Sequence, residues 1–364
     1  MSKYYPWLDW VRFLAAFEVM LSHARGFFFV DYGALIAPDR TPLVAVFFAL
    51  TRLGEESVLV FFVISGFLVG GRSLDKMITG QFRLEEYAID RFVRIMLPLV
   101  PALLLTGMVQ FAITRSYDVG ALVGSLLSLQ GIWFSPYGGN APLWSLAYEV
   151  WFYIAIYAIG DSVMTRKFGV VSAALICCFL MAFTKLNVNY LFCWLIGAAA
   201  FFLRPKGCRT STLLAHSLLL AATVALVEMT TESRSVNLRF ADLLPTHAVS
   251  QLWLALCASL MIRRIIIFSP SGGLALQLNR LGGKLAASSY TLYLTHYPVL
   301  MLCQYVGMGK HSSMTLFSVS YFLIIVSLNM LVAFLIYSLF EKHTDKCRAY
   351  LKSMLEARSA MVRL

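Results

Sequence analysis

Two ionisable side chains, Arg12 and His23, stand in an otherwise apolar stretch near the start of the chain. If this stretch is an α-helix, a separation of eleven residues returns to within ~20° of the same face, ~16 Å further along the axis. Asp9 lies one turn before Arg12, where it can pair with the guanidinium. Ionisable groups inside a membrane cost several kcal/mol unless they face a partner or a wet cavity. The pattern therefore predicts a helix that lines a functional cavity.

The composition is that of an integral membrane protein with many spans. Of the 364 residues, 59% are hydrophobic and 13% are charged, whereas soluble domains carry about 25% charged residues. A secretory signal is not expected, because the first apolar stretch contains four ionisable residues, Asp9, Arg12, Glu18 and His23. In a membrane protein, a net charge of +11 indicates the orientation of the chain in the membrane and not nucleic-acid binding.

The seven cysteines lie mostly inside apolar segments, and their odd number argues against a disulfide framework. No spacing of cysteine and histidine is typical of a zinc site. We therefore expect neither a metal site nor a bound cofactor.

Apolar runs recur along the chain and predict an all-α fold of about ten transmembrane helices. The runs cover about residues 7–29, 54–71, 92–114, 142–160, 168–184, 187–203, 211–229, 246–268, 286–307 and 316–340. Residues 42–52 are predicted to form a short helix that leads into the second span. Residues 118–134 are predicted to be a short or re-entrant helix, since the segment ends near glycine, proline and asparagine residues between Gly131 and Asn140.

The distribution of positive charge favours ten spans over eleven. With ten spans and the N-terminus inside, 21 of the 30 lysines and arginines face the cytoplasm and 8 face outside, with Arg12 in the membrane. An eleventh span at 118–134 would move the basic tail and the loop 204–209 outside and remove most of this bias. Both termini are therefore expected in the cytoplasm, with a transmembrane domain at 1–345 and a short basic tail at 346–364.

Three further side chains fit a group-transfer enzyme. Glu149 lies ~10 Å below the outer end of its predicted span, at a depth similar to that of His23, and the two could form a base and its orienter. Arg91 and Arg94 stand one helical turn apart at an inner membrane boundary. Paired guanidiniums suit an anionic ligand, such as a phosphate group, that arrives from the cytoplasm.

Six segments resemble membrane-bound acyltransferase family 3, whose members O-acylate cell-surface carbohydrates. In chain order they are Leu8-Asp9-x-x-Arg12 with ten residues before His23, Val60–Leu68 (similar to FFxxSGFL), Arg91–Pro98 (RxxR), Leu143–Glu149 (WSL…E), Ser289–Pro298 (YxxYLxHxP) and Phe340-Glu341. None is decisive alone, but six in this order over most of the chain form a specific match. Two positions depart from the pattern. Trp10 stands where the family often has glycine, and Ser22 where an aromatic residue is common.

The resemblance implies an acyl-CoA donor, usually acetyl-CoA, and an acceptor hydroxyl on a glycan or lipid-linked glycan. It implies a catalytic-base role for His23, and Glu149 is taken as a second catalytic residue. Donor-side, substrate-binding or structural roles are implied for six others: Asp9, Arg12, Ser65, Arg91, Arg94 and His296. The expected location is the bacterial inner membrane, among membrane lipids, with a separate glycan-presenting protein as an expected partner.

Several of these assignments have structural alternatives. Arg91 and Arg94 could be anchors whose side chains extend to lipid headgroups, and Glu149 could only pair with a neighbouring helix. His296 precedes Pro298 by two residues, and a proline inside a helix frees a backbone carbonyl that needs a polar partner. Glu341 is read as structural.

Two other functions use the same residues. Buried ions could form the pathway of a proton-coupled transporter or flippase of a glycan or small anionic solute, although the internal repeats of many transporters are missing. A non-catalytic sensor is a third reading, which the intact Arg12 and His23 disfavour.

Overall fold

The structure is a computed structural model that describes residues 5–203, 210–232, 246–267 and 272–361. These residues form α-helices, several short 3₁₀ helices and connecting turns, with no strand among them. The α-helices are α1 (Pro6–Phe28), α2 (Pro42–Leu50), α3 (Gly54–Ser65), α4 (Arg72–Ile78), α5 (Leu84–Thr114), α6 (Val119–Leu126), α7 (Leu143–Thr165), α8 (Val170–Phe183), α9 (Val188–Phe202), α10 (Thr210–Glu232), α11 (His247–Ile265), α12 (Gly273–Ala287), α13 (Ser289–Tyr305), α14 (Leu316–Leu339) and α15 (Thr344–Met361). A π-helical segment, Gly66–Gly71, joins α3 to α4.

Each apolar run predicted as a span coincides with a helix, and α2 and α6 are the two predicted short helices. Three α-helices were not predicted: α4, which follows the π-helical segment, α12, and the helical form of the basic tail in α15. The basic residues of 204–209 and 233–245, together with Lys3 and Arg363, lie outside the described residues.

Five apolar helical stretches are long enough to cross a membrane: Pro42–Ile78, Leu84–Thr114, Leu143–Thr165, His247–Ile265 and Leu316–Ala357. Three shorter apolar helices occupy Val170–Phe183, Val188–Phe202 and Thr212–Glu228. Large apolar side chains of α14, among them Leu323, Ile324 and Phe334, are exposed. Since an apolar surface of this kind is stable against lipid and not against water, the all-helical fold is that of a membrane protein.

The described chain divides into two compact units. The first unit comprises residues 1–15, 55–81 and 177–285, and the second comprises 16–54, 82–176 and 286–364.

In the first unit, the π-helical segment packs closely against α9. A Cβ atom on Gly66 would lie 2.0 Å from the carbonyl oxygen of Trp194, and one on Gly197 would lie 2.1 Å from that of Val63. Small residues let two membrane helices approach at the backbone. The two glycines are therefore required by the helix contact, and the apolar residues Phe67, Val63 and Phe201 complete the core beside them.

We expect Gly66→Ala to destabilise the protein by about 3 kcal/mol, because the added methyl group meets a backbone carbonyl that cannot move aside. Gly26→Ala is the matched control, since a Cβ on that helical glycine meets no atom within 4 Å. The midpoint of thermal unfolding in detergent measures the difference. Equal midpoints for the two variants would contradict the close approach of α9.

In the second unit, one face of α1 holds the junction between α2 and α3. Glu18 accepts a hydrogen bond from the backbone N–H of Leu53 at 3.3 Å, and Arg25 donates to the carbonyl of Thr51 at 3.3 Å. Between them, the Oγ of Ser22 lies 2.9 Å from the place a Cβ on Gly54 would take. Positions 18, 22 and 25 share a helix face. A large aromatic side chain at position 22 would collide with this junction, which explains the small residue.

The helix α5 is the centre of the second unit and packs against α7, α13, α14 and α15. Leu99 of α5, Leu143 and Phe152 of α7, and Leu292 of α13 are fully buried. The tail helix α15 is tied to the start of α5, because Arg348 and Lys352 pair with Asp90 at 3.0 and 3.1 Å. The helices that carry the candidate residues Arg91, Glu149 and His296 therefore contribute to the buried core of this unit.

Candidate functional site

The imidazole of His23 on α1 meets the imidazole of His296 on α13. The Nδ1 of His23 lies 3.0 Å from the Nε2 of His296. The ring centroids are 5.2 Å apart and the ring planes differ by 24°. Since the two nitrogens are much closer than the centroids, the rings meet edge to edge and nearly in one plane, which is the geometry of an N–H···N hydrogen bond. The Tyr297 ring stands against the other side of His23, at 5.2 Å and 85°.

The position of His296 follows from the proline two residues later. Pro298 has no N–H, so the carbonyl of Leu294 lacks its helical donor. The side-chain amide of Asn140 donates to this carbonyl at 3.0 Å and to the Oγ1 of Thr106 on α5 at 3.2 Å. Asn140 is itself buried. The asparagine therefore ties α13 to α5 one turn or less from His296.

His296 is fully buried, whereas His23 is half-buried. The second ring nitrogen of His296, Nδ1, lies 3.0 Å from the carbonyl oxygen of Leu292. Both nitrogens of His296 thus have protein partners. The side-chain hydrogen bond of His23 within the described residues is made by Nδ1, which leaves its Nε2 without a side-chain partner there.

Arg94 is held in an ion pair. Its Nη1 lies 3.1 Å from Oε1 of Glu341, whose side chain is only 3% exposed. The other carboxylate oxygen of Glu341 accepts from the N–H of Thr291 at 3.3 Å and from its Oγ1 at 2.6 Å. The guanidinium also stands 5.4 Å from the ring centre of Tyr290. This network joins α5, α13 and the turn after α14.

Arg91 has different surroundings, although it lies one turn from Arg94. No described carboxylate pairs with it, and its Nε is buried without a hydrogen-bond partner in the described chain. Its guanidinium stands 5.4 Å from the ring centre of Tyr153 and 6.0 Å from that of Tyr87. Arg91 also lines a groove of about 190 Å³ between α5 and α7. The remaining lining residues are Tyr87, Ala88, Phe92, Ile95, Met96, Val150, Tyr153, Ile154 and Tyr157.

Glu149 lies beside the arginines and not beside His23. Its Oε1 accepts a hydrogen bond from the hydroxyl of Tyr153, one turn along α7. Tyr153 in turn stacks against Arg91, and its backbone carbonyl accepts from Tyr87 at 3.2 Å. In the folded protein the ring of His23 is therefore hydrogen-bonded to His296, and the carboxylate of Glu149 is hydrogen-bonded to Tyr153.

The remaining candidates lie in the first unit. Arg12 and Asp9 form the expected ion pair at 3.6 Å. Trp10, which departs from the family pattern, donates to the carbonyl of Leu278 at 2.9 Å. A Cβ on Gly282 would lie 2.4 Å from the indole nitrogen, so a glycine on α12 makes room for the indole. The tryptophan is thus a helix-packing residue.

Ser65 contacts a neighbouring helix. Its Oγ accepts a hydrogen bond from the indole N–H of Trp194 on α9 at 3.3 Å. The residue lies directly before Gly66, where α9 comes closest. The contact gives Ser65 a structural role in this unit.

The family-like sequence segments lie mainly on the helices whose polar side chains make the contacts described above. The chain matches the family model described as an acyltransferase domain over residues 5–338. It belongs to acyltransferase family 3. No curated protein and no solved structure matches the chain. The matched range includes His23, both arginines and His296, so this membrane acyltransferase carries its histidine pair within the family domain.

Some residues that shape the site were not singled out from the sequence of the acyltransferase. Tyr297 and Asn140 contact or position the histidine pair, and Tyr87, Tyr153 and Tyr290 surround the arginines. A signal for Asn140 does exist in the sequence, since Pro298 predicts a carbonyl on α13 that needs a donor. Nothing in the sequence says which donor supplies it.

Proposed function

We propose that the protein is an integral-membrane O-acyltransferase that moves an acyl group, most simply acetyl, from acyl-CoA to a hydroxyl of a surface or exported glycan. His23 removes the hydroxyl proton while the oxygen attacks the thioester carbon. The carbon–sulfur bond breaks as the ester forms, and the CoA thiolate receives the proton. The observation that carries this proposal is the imidazole of His23, which is hydrogen-bonded through Nδ1 and has Nε2 open, in a member of an acyltransferase family.

The donor end of the proposed site is at Arg91. A guanidinium without a carboxylate partner suits a phosphate of CoA, whereas Arg94 is already neutralised by Glu341. The groove beside Arg91 is lined by apolar and tyrosine side chains, which suits the uncharged arm of the donor. On α13, Tyr290 and His296 are separated by six residues, or about 9 Å of helix axis. The same helix therefore connects the arginine group with the histidine pair.

The membrane setting is proposed from charge and hydropathy. Ten spans with both termini in the cytoplasm place Arg91 at the inner face and His23 in the outer half of the membrane. The donor then enters from the cytoplasm of a bacterial cell through its inner membrane, and the glycan or lipid-linked acceptor approaches from the periplasmic side. The acceptor is handled either by the membrane domain itself or by a separate glycan-presenting protein.

The test of the proposed function is transfer of label from [¹⁴C]acetyl-CoA to the surface-glycan fraction, with membranes that contain the protein or lack it. Label that depends on the protein supports an acyltransferase, and the labelled glycan identifies the acceptor. If acetyl-CoA and longer acyl-CoAs all fail with folded protein, the proposal is overturned. Uptake or flipping of a glycan by the same membranes would then favour the transporter.

The donor site makes a separate prediction about binding. We expect Arg91→Gln to raise the KM for acetyl-CoA about 10- to 100-fold, with a much smaller change in kcat, because one charge-assisted hydrogen bond contributes about 1.5–3 kcal/mol. Arg83→Gln is the matched control, since Arg83 is an exposed arginine immediately before the same helix. An unchanged KM for Arg91→Gln would exclude this arginine as a donor ligand.

A further inference from the structure

The hydrogen bonds of His296 determine where its proton lies. Its Nδ1 is 3.0 Å from the carbonyl oxygen of Leu292, and a carbonyl oxygen can only accept, so Nδ1 carries the hydrogen. His296 is 0% exposed, where a charged ring would lose its hydration without a counter-charge. A neutral imidazole has one N–H. The Nε2 of His296 therefore carries a lone pair and can only accept a hydrogen bond.

The proton position in His296 determines that of His23. The Nδ1 of His23 lies 3.0 Å from this accepting Nε2, with the two rings nearly coplanar. The hydrogen of that contact must then belong to His23. The lone pair of His23 is then on Nε2, which has no side-chain partner among the described residues and belongs to a half-buried side chain.

We infer that His296 is a positioning residue, which holds His23 in the Nδ1–H tautomer and so makes Nε2 the nitrogen that accepts the substrate proton. The inference rests on the proposed function of His23 as the base. When the acceptor hydroxyl attacks the thioester, its proton moves to Nε2 of His23, and the same proton leaves later with the CoA thiolate. Throughout the step, the Nδ1–H of His23 remains bonded to His296.

The pair also explains how a charged His23 is tolerated during the reaction. After proton uptake, both nitrogens of His23 carry hydrogen and the ring has a positive charge. A hydrogen bond from a charged donor is stronger than a neutral one, so the contact with His296 strengthens as the charge develops. A hydrogen bond that is stronger in the transition state than in the ground state raises kcat and leaves the binding of acyl-CoA unchanged.

The direct test is the tautomer of His23 by ¹⁵N NMR of the histidine rings in the full-length protein in detergent. The chain has six histidines, and the signals of His23 are assigned as those lost in His23→Gln. We expect a protonated Nδ1 and an unprotonated Nε2 in the wild type, and a mixture of tautomers in His296→Phe. A protonated Nε2 in the wild type, or an unchanged spectrum in His296→Phe, would overturn the inference.

Kinetics provide the second readout. We expect His296→Phe to lower kcat about 10²-fold with the KM for acetyl-CoA nearly constant, which is the usual scale for a misdirected catalytic base. His296→Gln should recover most of this loss, because its side-chain oxygen can accept from His23. Thr295→Val is the control on the same helix, since the hydroxyl of Thr295 bonds only its own helix, at the carbonyl of Thr291.

The two readouts separate this inference from the proposed function. If the wild type transfers no acyl group but shows the Nδ1–H tautomer that depends on His296, the proposed function fails and the pairing stands. If transfer occurs and His296→Phe and His296→Gln lower kcat equally, without a change of tautomer, His296 has only a structural role. A raised KM with constant kcat would likewise contradict the positioning role.

Discussion

Replacing His23 by alanine is expected to lower kcat/KM for acyl transfer by about 10²–10⁴-fold, the contribution usual for a general base. The variant has no group at this position to accept the proton of the attacking hydroxyl. Its fold should persist, because the half-buried imidazole contacts mainly His296 and Tyr297. The measurement is the initial rate of labelled acetyl transfer by purified protein, with folded protein quantified by size-exclusion chromatography.

His216→Ala is the control for the loss of a histidine. The ring of His216 on α10 bonds the carbonyl of Thr212 in its own helix at 2.6 Å, and we expect wild-type transfer from this variant. A wild-type rate from His23→Ala would remove His23 from the mechanism. In that case Glu149, hydrogen-bonded to Tyr153, would be the next candidate for the base.

Replacing Glu341 by alanine is expected to destabilise the fold by about 3 kcal/mol, at the lower end of the range for breaking a buried ion pair. The substitution leaves the guanidinium of Arg94 without its partner, and it removes the acceptor of the Thr291 N–H and hydroxyl. The value is at the lower end because the side chain of Arg94 keeps 28% exposure. Thermal unfolding in detergent measures the change.

Two further variants identify the cause of this loss. Glu356→Ala removes an exposed carboxylate of α15 and should leave the unfolding midpoint unchanged. The double variant Arg94→Leu/Glu341→Leu removes both charges, and we expect it to be more stable than Glu341→Leu alone. If the double variant is the less stable of the two, the ion pair is not what Glu341 contributes.

The helices were predictable because their signal is local. A run of about 20 apolar residues must satisfy its own backbone within a bilayer, and only a helix does so within one segment. The runs thus gave the positions of α1, α5, α7 and α13, and the turn residues after 118–134 correctly limited α6 to a short helix. The helix α12 escaped prediction, because its charged and polar residues interrupt the apolar pattern.

The difference between Arg91 and Arg94 was not predictable. Three residues along a helix rotate a side chain by ~300°, so the two guanidiniums point ~60° apart. In the folded protein this rotation is enough to bring Arg94 to Glu341 and Arg91 to Tyr153. From the sequence alone the two arginines were equivalent, because Glu341 is 247 residues away from Arg94.

The sequence by itself determined that this chain is a helical membrane protein, that Arg12 and His23 share its first helix, and which family it resembles. Those features depend on composition, helical period and short motifs. Only the tertiary structure decided which group faces His23, because the rotation of α13 is set by its packing on α5 and by the hydrogen bond from Asn140 to Leu294. The fold brought together two histidines 273 residues apart. It placed Glu149 against Tyr153, which stacks on Arg91.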